Sequence, residues 1–149
     1  MSHPDLTAEQ SYIDTAYDCL AAMRDRAART AELEGMAAEA VDGLIAQAHL
    51  RHRVASLDTD VAGLSFGRLD EERGETWYVG RRHVEDARGD PVVVDWRADV
   101  AIPFYRATAI DALGLARRRR FMMTGRRPDD LFDEVVDDPD SVDAAHHGG

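Results

Sequence analysis

Apolar residues recur at steps of three and four through the first third of the chain, and this spacing predicts two amphipathic helices. The first series runs from Ile13 to Ala31, and Thr7-Ala-Glu-Gln10 before it has the spacing of a capping box. Gly35 ends this series, and a second one follows from Val41 to Leu57. We therefore predict an antiparallel helical hairpin over residues 1–60, with the narrow, alanine-rich seam that is typical of a coiled coil.

From residue 61 the pattern changes to the alternation expected of strands. Turn residues separate four predicted strands: Val61–Asp70, Glu75–His83, Val92–Trp96 and Leu115–Thr124. Phe104–Ala107 is a fifth short strand or a loop, and Leu131–Val136 is one helical turn or a last strand. Because short turns favour antiparallel neighbours, we predict a small, mostly antiparallel β-rich domain over residues 61–136 and an α+β fold class.

Charge is distributed unevenly along the chain, whose formal net charge is −11. Residues 1–63 hold 5 arginines against 11 acidic residues, and residues 64–127 hold 13 arginines against 10. Residues 128–149 have 8 acidic residues and no arginine, so 137–149 are predicted to form a disordered acidic tail. Because duplex binding depends on neutralising phosphates, the chain as a whole is a poor candidate for a general DNA binder.

The residue types point away from common enzymatic chemistry. All 18 basic residues are arginine, so no lysine is available for a phosphate-binding loop or a Schiff base. The single cysteine, Cys19, excludes an internal disulfide and is typical of a reducing cytoplasm. His49 and His52 could present two ligands on one helix face, but a solvated face is the favoured interpretation. We predict no enzyme activity, no cofactor, no metal, no membrane segment and a cytoplasmic location.

Arg117-Arg-Arg-Arg120 is the strongest electrostatic feature of the sequence. On a strand, two of these side chains would point to each face of the sheet. One interpretation is a contact to a nucleic-acid backbone or an acidic protein surface. The other is an internal ion-pair network with carboxylates such as Asp95 or Asp99, and the sequence leaves both open.

The segment Pro91–Thr108 combines a β-branched run with Asp95-Trp96-Arg97 and then Pro103-Phe104-Tyr105. A tryptophan after Val92–Val94 is expected to anchor a small sheet core. The alternative is an interface patch. The structural role is favoured, and the segment is predicted to be a signature rather than a catalytic site.

Seven short segments, in this order and spacing, resemble the N-terminal region of the HelD family, bacterial helicase-like ATPases that bind RNA polymerase. They are Phe66-Gly-Arg-Leu-Asp70, Trp77-Tyr-Val-Gly-Arg81, Asp95-Trp-Arg97, Pro103-Phe-Tyr105, Leu113–Arg120, Gly125-Arg126 and Leu131–Asp137. The resemblance covers about residues 8–136. The chain departs from the family pattern at Asp99, where proline is usual, and at Ile102, where arginine is common.

The resemblance implies an antiparallel coiled coil that enters the secondary channel of RNA polymerase, and a separate superfamily 1 motor that hydrolyses ATP. On that mapping, residues 8–58 are the coiled coil and Glu32-Leu-Glu34-Gly35 is its tip. Glu32 and Glu34 could then approach the polymerase's catalytic magnesium, although acidic residues at a bend also serve solubility. Residues 61–136 would join this arm to a motor domain, and the expected phosphate-binding loop does not occur in the sequence.

We therefore predict an RNA-polymerase-binding module without its own ATPase. Its partner-binding residues would be Glu32, Glu34, Arg117, Arg118, Arg119 and Arg120. The first alternative is a subunit or truncated remnant of a superfamily 1 DNA helicase that needs a separate motor chain. The second is a free-standing nucleic-acid-binding module, against which the net charge counts.

Overall fold

The computed structural model describes residues 3–37 and 61–135 of the chain, together with the isolated positions 45, 48, 49, 51, 52, 54 and 59. Among those isolated positions all but 59 are helical. The pairing of the predicted second helix with the first, and with it the coiled-coil seam, lies outside the described residues. The predicted acidic tail over residues 137–149 also lies outside them.

The first helix, α1, spans Leu6–Ala37 and contains 32 residues, which gives it a length of roughly 48 Å. The backbone before it supplies its first acceptors: the Leu6 N–H donates to the His3 carbonyl at 3.1 Å and the Glu9 N–H to the Asp5 carbonyl at 3.0 Å. The predicted cap at Thr7 is therefore wrong, because the helix begins one residue earlier and Thr7 lies in its first turn.

The helix also continues through Gly35, where the sequence pattern predicted its end. A glycine inside a helix costs about 1 kcal/mol relative to alanine. A long helix tolerates this cost, because each residue added to an existing helix gains a hydrogen bond without a new nucleation step. The prediction of a bend at Glu32–Gly35 is wrong, since this segment lies within α1.

One stripe of α1 packs against the sheet. Ile13, Ala16, Tyr17 and Leu20 are almost completely buried and follow the three-and-four spacing that predicted the helix. Further along α1, Met23 and Ala27 are partly buried against the same core. None of the helices in the described part of the chain has the length and apolar character that crossing a membrane requires.

The rest of the described chain forms a six-stranded sheet with a short helix on one face. The strands are β1 Ser65–Glu71, β2 Thr76–Gly80, β3 Val84–Glu85, β4 Pro91–Asp95, β5 Leu115–Thr124 and β6 Arg127–Val135, arranged in the order β3-β4-β2-β1-β5-β6. The short helix, α2, spans Ile102–Arg106 and follows a 3-10 turn at Asp99–Ala101. A helix with a β-sheet confirms the α+β class.

The sheet is mixed rather than a simple antiparallel meander. β2 and β4 are parallel, while the other neighbouring strands are antiparallel. The cause is the two-residue strand β3, which lies at the edge and forms a hairpin with β4. β4 therefore returns into the space between β3 and β2, and it runs in the same direction as β2.

Two segments that the sequence left open are now assigned. Phe104–Ala107, predicted to be a strand or a loop, instead lies in and just after α2, where Pro103 occupies the first turn. A proline there fits the fixed backbone angle of a helix start and removes no needed donor. Leu131–Val135 belongs to β6, so the strand alternative is confirmed and the helical turn is excluded.

Each face of the sheet has its own apolar core. The core under α1 contains Leu6, Ile13, Ala16, Tyr17, Leu20, Leu64, Tyr78, Val84, Val93, Phe121 and Leu131. The core under α2 contains Leu69, Val79, Val94, Ala101, Phe104, Ala107 and Leu115. The alternating side chains of β5 therefore divide between two different environments.

Candidate functional site

The arginine run lies on β5, and its members divide between the two faces of the sheet. Arg117 and Arg119 point towards α1, whereas Arg118 and Arg120 lie on the side of α2. None of them pairs with Asp95 or Asp99, so those two predicted partners are wrong. The sheet order explains this, because β2 and β1 separate β4 from β5 by three strand spacings, roughly 14 Å.

Arg119 is the centre of a buried charge cluster on the α1 side. Its side chain is only 1 % exposed, and its guanidinium donates to Asp133 at 2.6 Å, to Asp5 at 2.8 Å and to Glu9 at 3.2 Å. Burial alone would lower the pKa of Arg119, but these hydrogen bonds outweigh it and raise that pKa. The cation therefore stays charged and links the start of α1 to β6.

Glu9 is the carboxylate that α1 contributes to the interior, and it is 3 % exposed. It accepts a hydrogen bond from the Tyr78 hydroxyl at 2.6 Å and a longer one from Arg68 at 3.4 Å, besides that from Arg119. Burial, and then the hydrogen bond to Glu9, raise the pKa of Tyr78, so this phenol remains a donor. Several donors thus compensate the desolvation of one buried carboxylate.

Asp70 extends the cluster along β1. It accepts from Arg117 at 2.7 Å and from Arg68 at 2.9 Å. Burial would raise the pKa of Asp70, but hydrogen bonds from Thr76 and from both arginines lower it. We call the set the arginine–carboxylate cluster: Asp5, Glu9, Arg68, Asp70, Tyr78, Arg117, Arg119 and Asp133. It connects α1 with four strands of the sheet.

On the opposite face, Arg118 fixes α2 in place. Its guanidinium donates to the Phe104 carbonyl at 2.8 Å and also to the Ala107 carbonyl, both at the C-terminal end of α2. Its Nε is buried without a hydrogen bond and lies 3.4 Å from a Glu134 carboxylate oxygen. A cation beside the last carbonyls of a helix is favourable, so Arg118 holds this short helix on the sheet.

Phe104 is the second contact that positions α2, and it depends on a glycine. A Cβ placed on Gly67 of β1 would lie 2.2 Å from the Phe104 ring. Since no side chain fits there, the ring lies directly on the backbone of β1 and is only 4 % exposed. Arg120 completes this environment, with its guanidinium carbon 5.8 Å from the ring centroid.

The signature residues around α2 form an exposed surface that we call the signature patch: Trp96, Arg97, Ile102, Tyr105 and Arg106. These residues line a shallow groove of about 360 Å³. The rings of Trp96 and Tyr105 meet edge to face with centroids 6.3 Å apart, and they are 48 % and 44 % exposed. Trp96 is therefore not the buried sheet anchor that its sequence context favoured, because the core under α2 is filled by Phe104 instead.

Asp95 orients one arginine of the signature patch. It accepts two hydrogen bonds from the Arg97 guanidinium, at 2.9 and 2.7 Å, and these lower the pKa of Asp95 to about 2. The guanidinium carbon of Arg97 also lies 5.9 Å from the Trp96 ring centroid, within cation–π range. Asp95-Trp96-Arg97 therefore acts as one unit in which the aspartate holds the arginine beside the indole.

Glu32, the other predicted contact, is far from the arginine–carboxylate cluster. It lies exposed in the last third of α1, roughly 35 Å along the helix from Glu9. The side chain of Glu34 lies outside the described part of the structure. The structure thus does not bring the predicted acidic tip and the arginine run together, and their roles as partner contacts stay predictions.

The acidic partners of the arginine run were not among the residues predicted from the sequence. Glu9 carried a usable signal, because it lies four residues before Ile13 and so belongs to the buried stripe of α1. A carboxylate on an apolar stripe requires a buried cationic partner. Asp5 and Asp133 carried no such signal, since Asp5 precedes the apolar series of α1 and Asp133 is one of 8 acidic residues in residues 128–149.

These features define a class of domain in which a long helix is fixed to a mixed six-stranded sheet by buried ion pairs. The family model described as DNA helicase IV HelD, N-terminal domain, matches residues 6–147. The chain belongs to this family, and the resemblance stated from the sequence is confirmed. No curated protein matches the chain.

Proposed function

We propose that this chain is a HelD-type module that binds bacterial RNA polymerase and has no ATPase activity of its own. The observation that carries the proposal is the family match over residues 6–147, which includes both α1 and the whole sheet. The polymerase is the partner that the HelD resemblance implies.

The geometry of α1 supports an arm that projects towards a partner. Its first two thirds pack on the sheet, and the arginine–carboxylate cluster fixes its first turn through Asp5 and Glu9. Beyond Ala27 most of its described side chains are exposed or half-buried, including Glu32. A helix held rigidly at one end loses little conformational entropy when it binds, which favours insertion into a narrow channel.

The proposal assigns ATP hydrolysis to some other chain or domain. A phosphate-binding loop needs a lysine that reaches the β- and γ-phosphates. The sequence contains no lysine at all. We therefore expect the purified chain to hydrolyse no ATP, with or without single-stranded DNA.

Binding to core RNA polymerase tests the proposal. The full chain is immobilised, and association of the purified core enzyme is measured by biolayer interferometry at low and at moderate salt. We expect saturable binding that a secondary-channel factor competes away, and weaker binding for Glu32→Ala. Glu72→Ala, which removes an exposed carboxylate in the β1–β2 turn, is the matched control. Absence of binding at low salt would contradict the proposal.

A second candidate follows from the family's own description, which names a DNA helicase. On this view the chain is a subunit that acts with a separate superfamily 1 motor chain. It predicts that the chain raises the DNA-dependent ATPase rate of that motor. An unchanged rate in an assay with both purified chains, together with polymerase binding, would favour the first proposal.

A further inference from the structure

Two large aromatic side chains of the signature patch are exposed beside an apolar core. Trp96 and Tyr105 are each almost half exposed, although an apolar core lies directly beneath α2. Tryptophan, tyrosine and arginine are the residues that most often dominate the energy of protein interfaces. The signature patch consists of these three types together with Ile102, which is 38 % exposed.

The charges of the signature patch are only partly compensated. Arg97 is neutralised by Asp95 through two hydrogen bonds. Arg106, the last residue of α2, forms no ion pair within the residues that the structure describes. An acidic group of a partner is therefore the chemistry that would pair with Arg106.

The signature patch is also held in one conformation. Arg118 binds the carbonyls of Phe104 and Ala107, and the Phe104 ring lies on the backbone of Gly67. These contacts fix α2, so Tyr105 and Arg106 are positioned before any partner arrives. A preorganised surface binds more tightly because less conformational freedom is lost on association.

We infer that the signature patch is a protein-docking surface for a segment that presents a carboxylate next to an apolar side chain. The carboxylate would pair with Arg106, and the apolar side chain would enter the groove between Trp96, Tyr105 and Ile102. A groove of about 360 Å³ accommodates one or two side chains. A nucleic-acid strand fits less well, because it carries a phosphate at every nucleotide and Arg106 is the single uncompensated cation of the signature patch.

This inference rests on the proposed function, since the segment is assigned to RNA polymerase. The test measures the affinity of the core enzyme for the intact chain and for Trp96→Ala, Trp96→Phe and Arg106→Glu. We expect Trp96→Ala and Arg106→Glu each to weaken binding about tenfold or more. Trp96→Phe should retain most of the affinity. Arg88→Ala, at an exposed arginine in the β3–β4 turn, is the control and should bind like the unmodified chain.

Circular dichroism of each variant verifies that the fold is retained, which is expected because the replaced side chains are exposed. If the unmodified chain binds no polymerase, both the proposed function and this inference fail. If the unmodified chain binds but the signature-patch variants bind equally well, only this inference is overturned.

A nucleic-acid occupant is tested separately with the Trp77→Phe variant, in which Trp96 is the remaining one of the two tryptophans. Trp77→Phe keeps an aromatic ring against the core under α2 and removes a buried Nε1 that has no hydrogen-bond partner. Salt-sensitive quenching of its fluorescence by oligothymidine would assign the signature patch to single-stranded nucleic acid and overturn the protein assignment. Unchanged emission would support the assignment of the signature patch to a protein partner.

Discussion

Replacement of Arg119 by methionine removes the cation that joins α1 to the sheet, while keeping an unbranched apolar stem. Three carboxylates lose hydrogen bonds in this variant: Asp5 and Glu9 lose one each, and Asp133 loses two. Asp5 and Asp133 are 52 % and 22 % exposed, so water can replace the lost donor. Glu9 is 3 % exposed, and its charge stays in the interior.

The expected decrease in the free energy of unfolding of Arg119→Met follows from the one buried carboxylate, Glu9. Removal of one partner from a buried ion pair typically costs about 3–5 kcal/mol. Glu9 still accepts from Tyr78 at 2.6 Å and from Arg68 at 3.4 Å, so we expect a loss near the lower end, about 3 kcal/mol. Since small domains are stable by about 5–15 kcal/mol, this is a large fraction of the total.

Urea unfolding followed by far-UV circular dichroism measures the loss, and a double variant tests its cause. Adding Glu9→Gln to Arg119→Met removes the uncompensated charge but keeps an acceptor for Tyr78. The double variant should therefore lose less stability than Arg119→Met alone. Arg73→Met, at an exposed arginine that pairs with Glu71 and Glu75, should leave the stability unchanged. A loss below about 1 kcal/mol for Arg119→Met, or simple additivity of the two changes, would refute the reasoning.

Gly67→Ala should destabilise the fold by about 1–3 kcal/mol in urea unfolding, because the new Cβ would overlap the Phe104 ring at 2.2 Å. Leu113→Gly should raise the melting temperature slightly, since Leu113 has a φ of 52° and glycine adopts that angle without strain; a lower melting temperature would contradict this. Acid should also weaken the fold. Burial would raise the pKa values of Asp70 and Asp133, but hydrogen bonds, chiefly from arginines, outweigh burial and lower both. Their contribution to the free energy of unfolding is therefore complete above the unfolded pKa of about 3.9, and it is lost as the pH falls through the folded pKa values. Urea midpoints should therefore be constant from about pH 7 to 5 and fall below about pH 4; a midpoint independent of pH would contradict this.

Local alternation predicted the bounds of β5, where glycine turns mark both ends. β5 was predicted over Leu115–Thr124 and has those bounds in the structure, with Gly114 before it and Gly125 after it. The parallel pairing of β2 and β4 could not be predicted, because strand order depends on the two-residue strand β3, which is too short to show a period. The partners of the arginine run depend on that same order.

The α2 helix could not be predicted because its conformation is determined by distant residues. Five residues are too few to show helical periodicity, and Ile102–Arg106 contains aromatic and β-branched side chains that also suit a strand. Contacts from Arg118 and Gly67 stabilise it on the sheet. The exposure of the signature patch follows from this helix, which is why the sequence favoured a buried role for Trp96.

The contacts that fix α1 join residues from the two ends of the described chain. The His3 imidazole contacts Asp133, 130 positions later, and Asp5 pairs with Arg119, 114 positions later. Contacts with such sequence separations slow folding, because a long loop must close before they form. On a ribosome that adds about 5–20 residues per second, α1 would wait roughly ten seconds for β6 to emerge. Although α1 is synthesised before the sheet, it is thus among the last elements to reach its final position, so the arm becomes rigid only when translation of the sheet is complete.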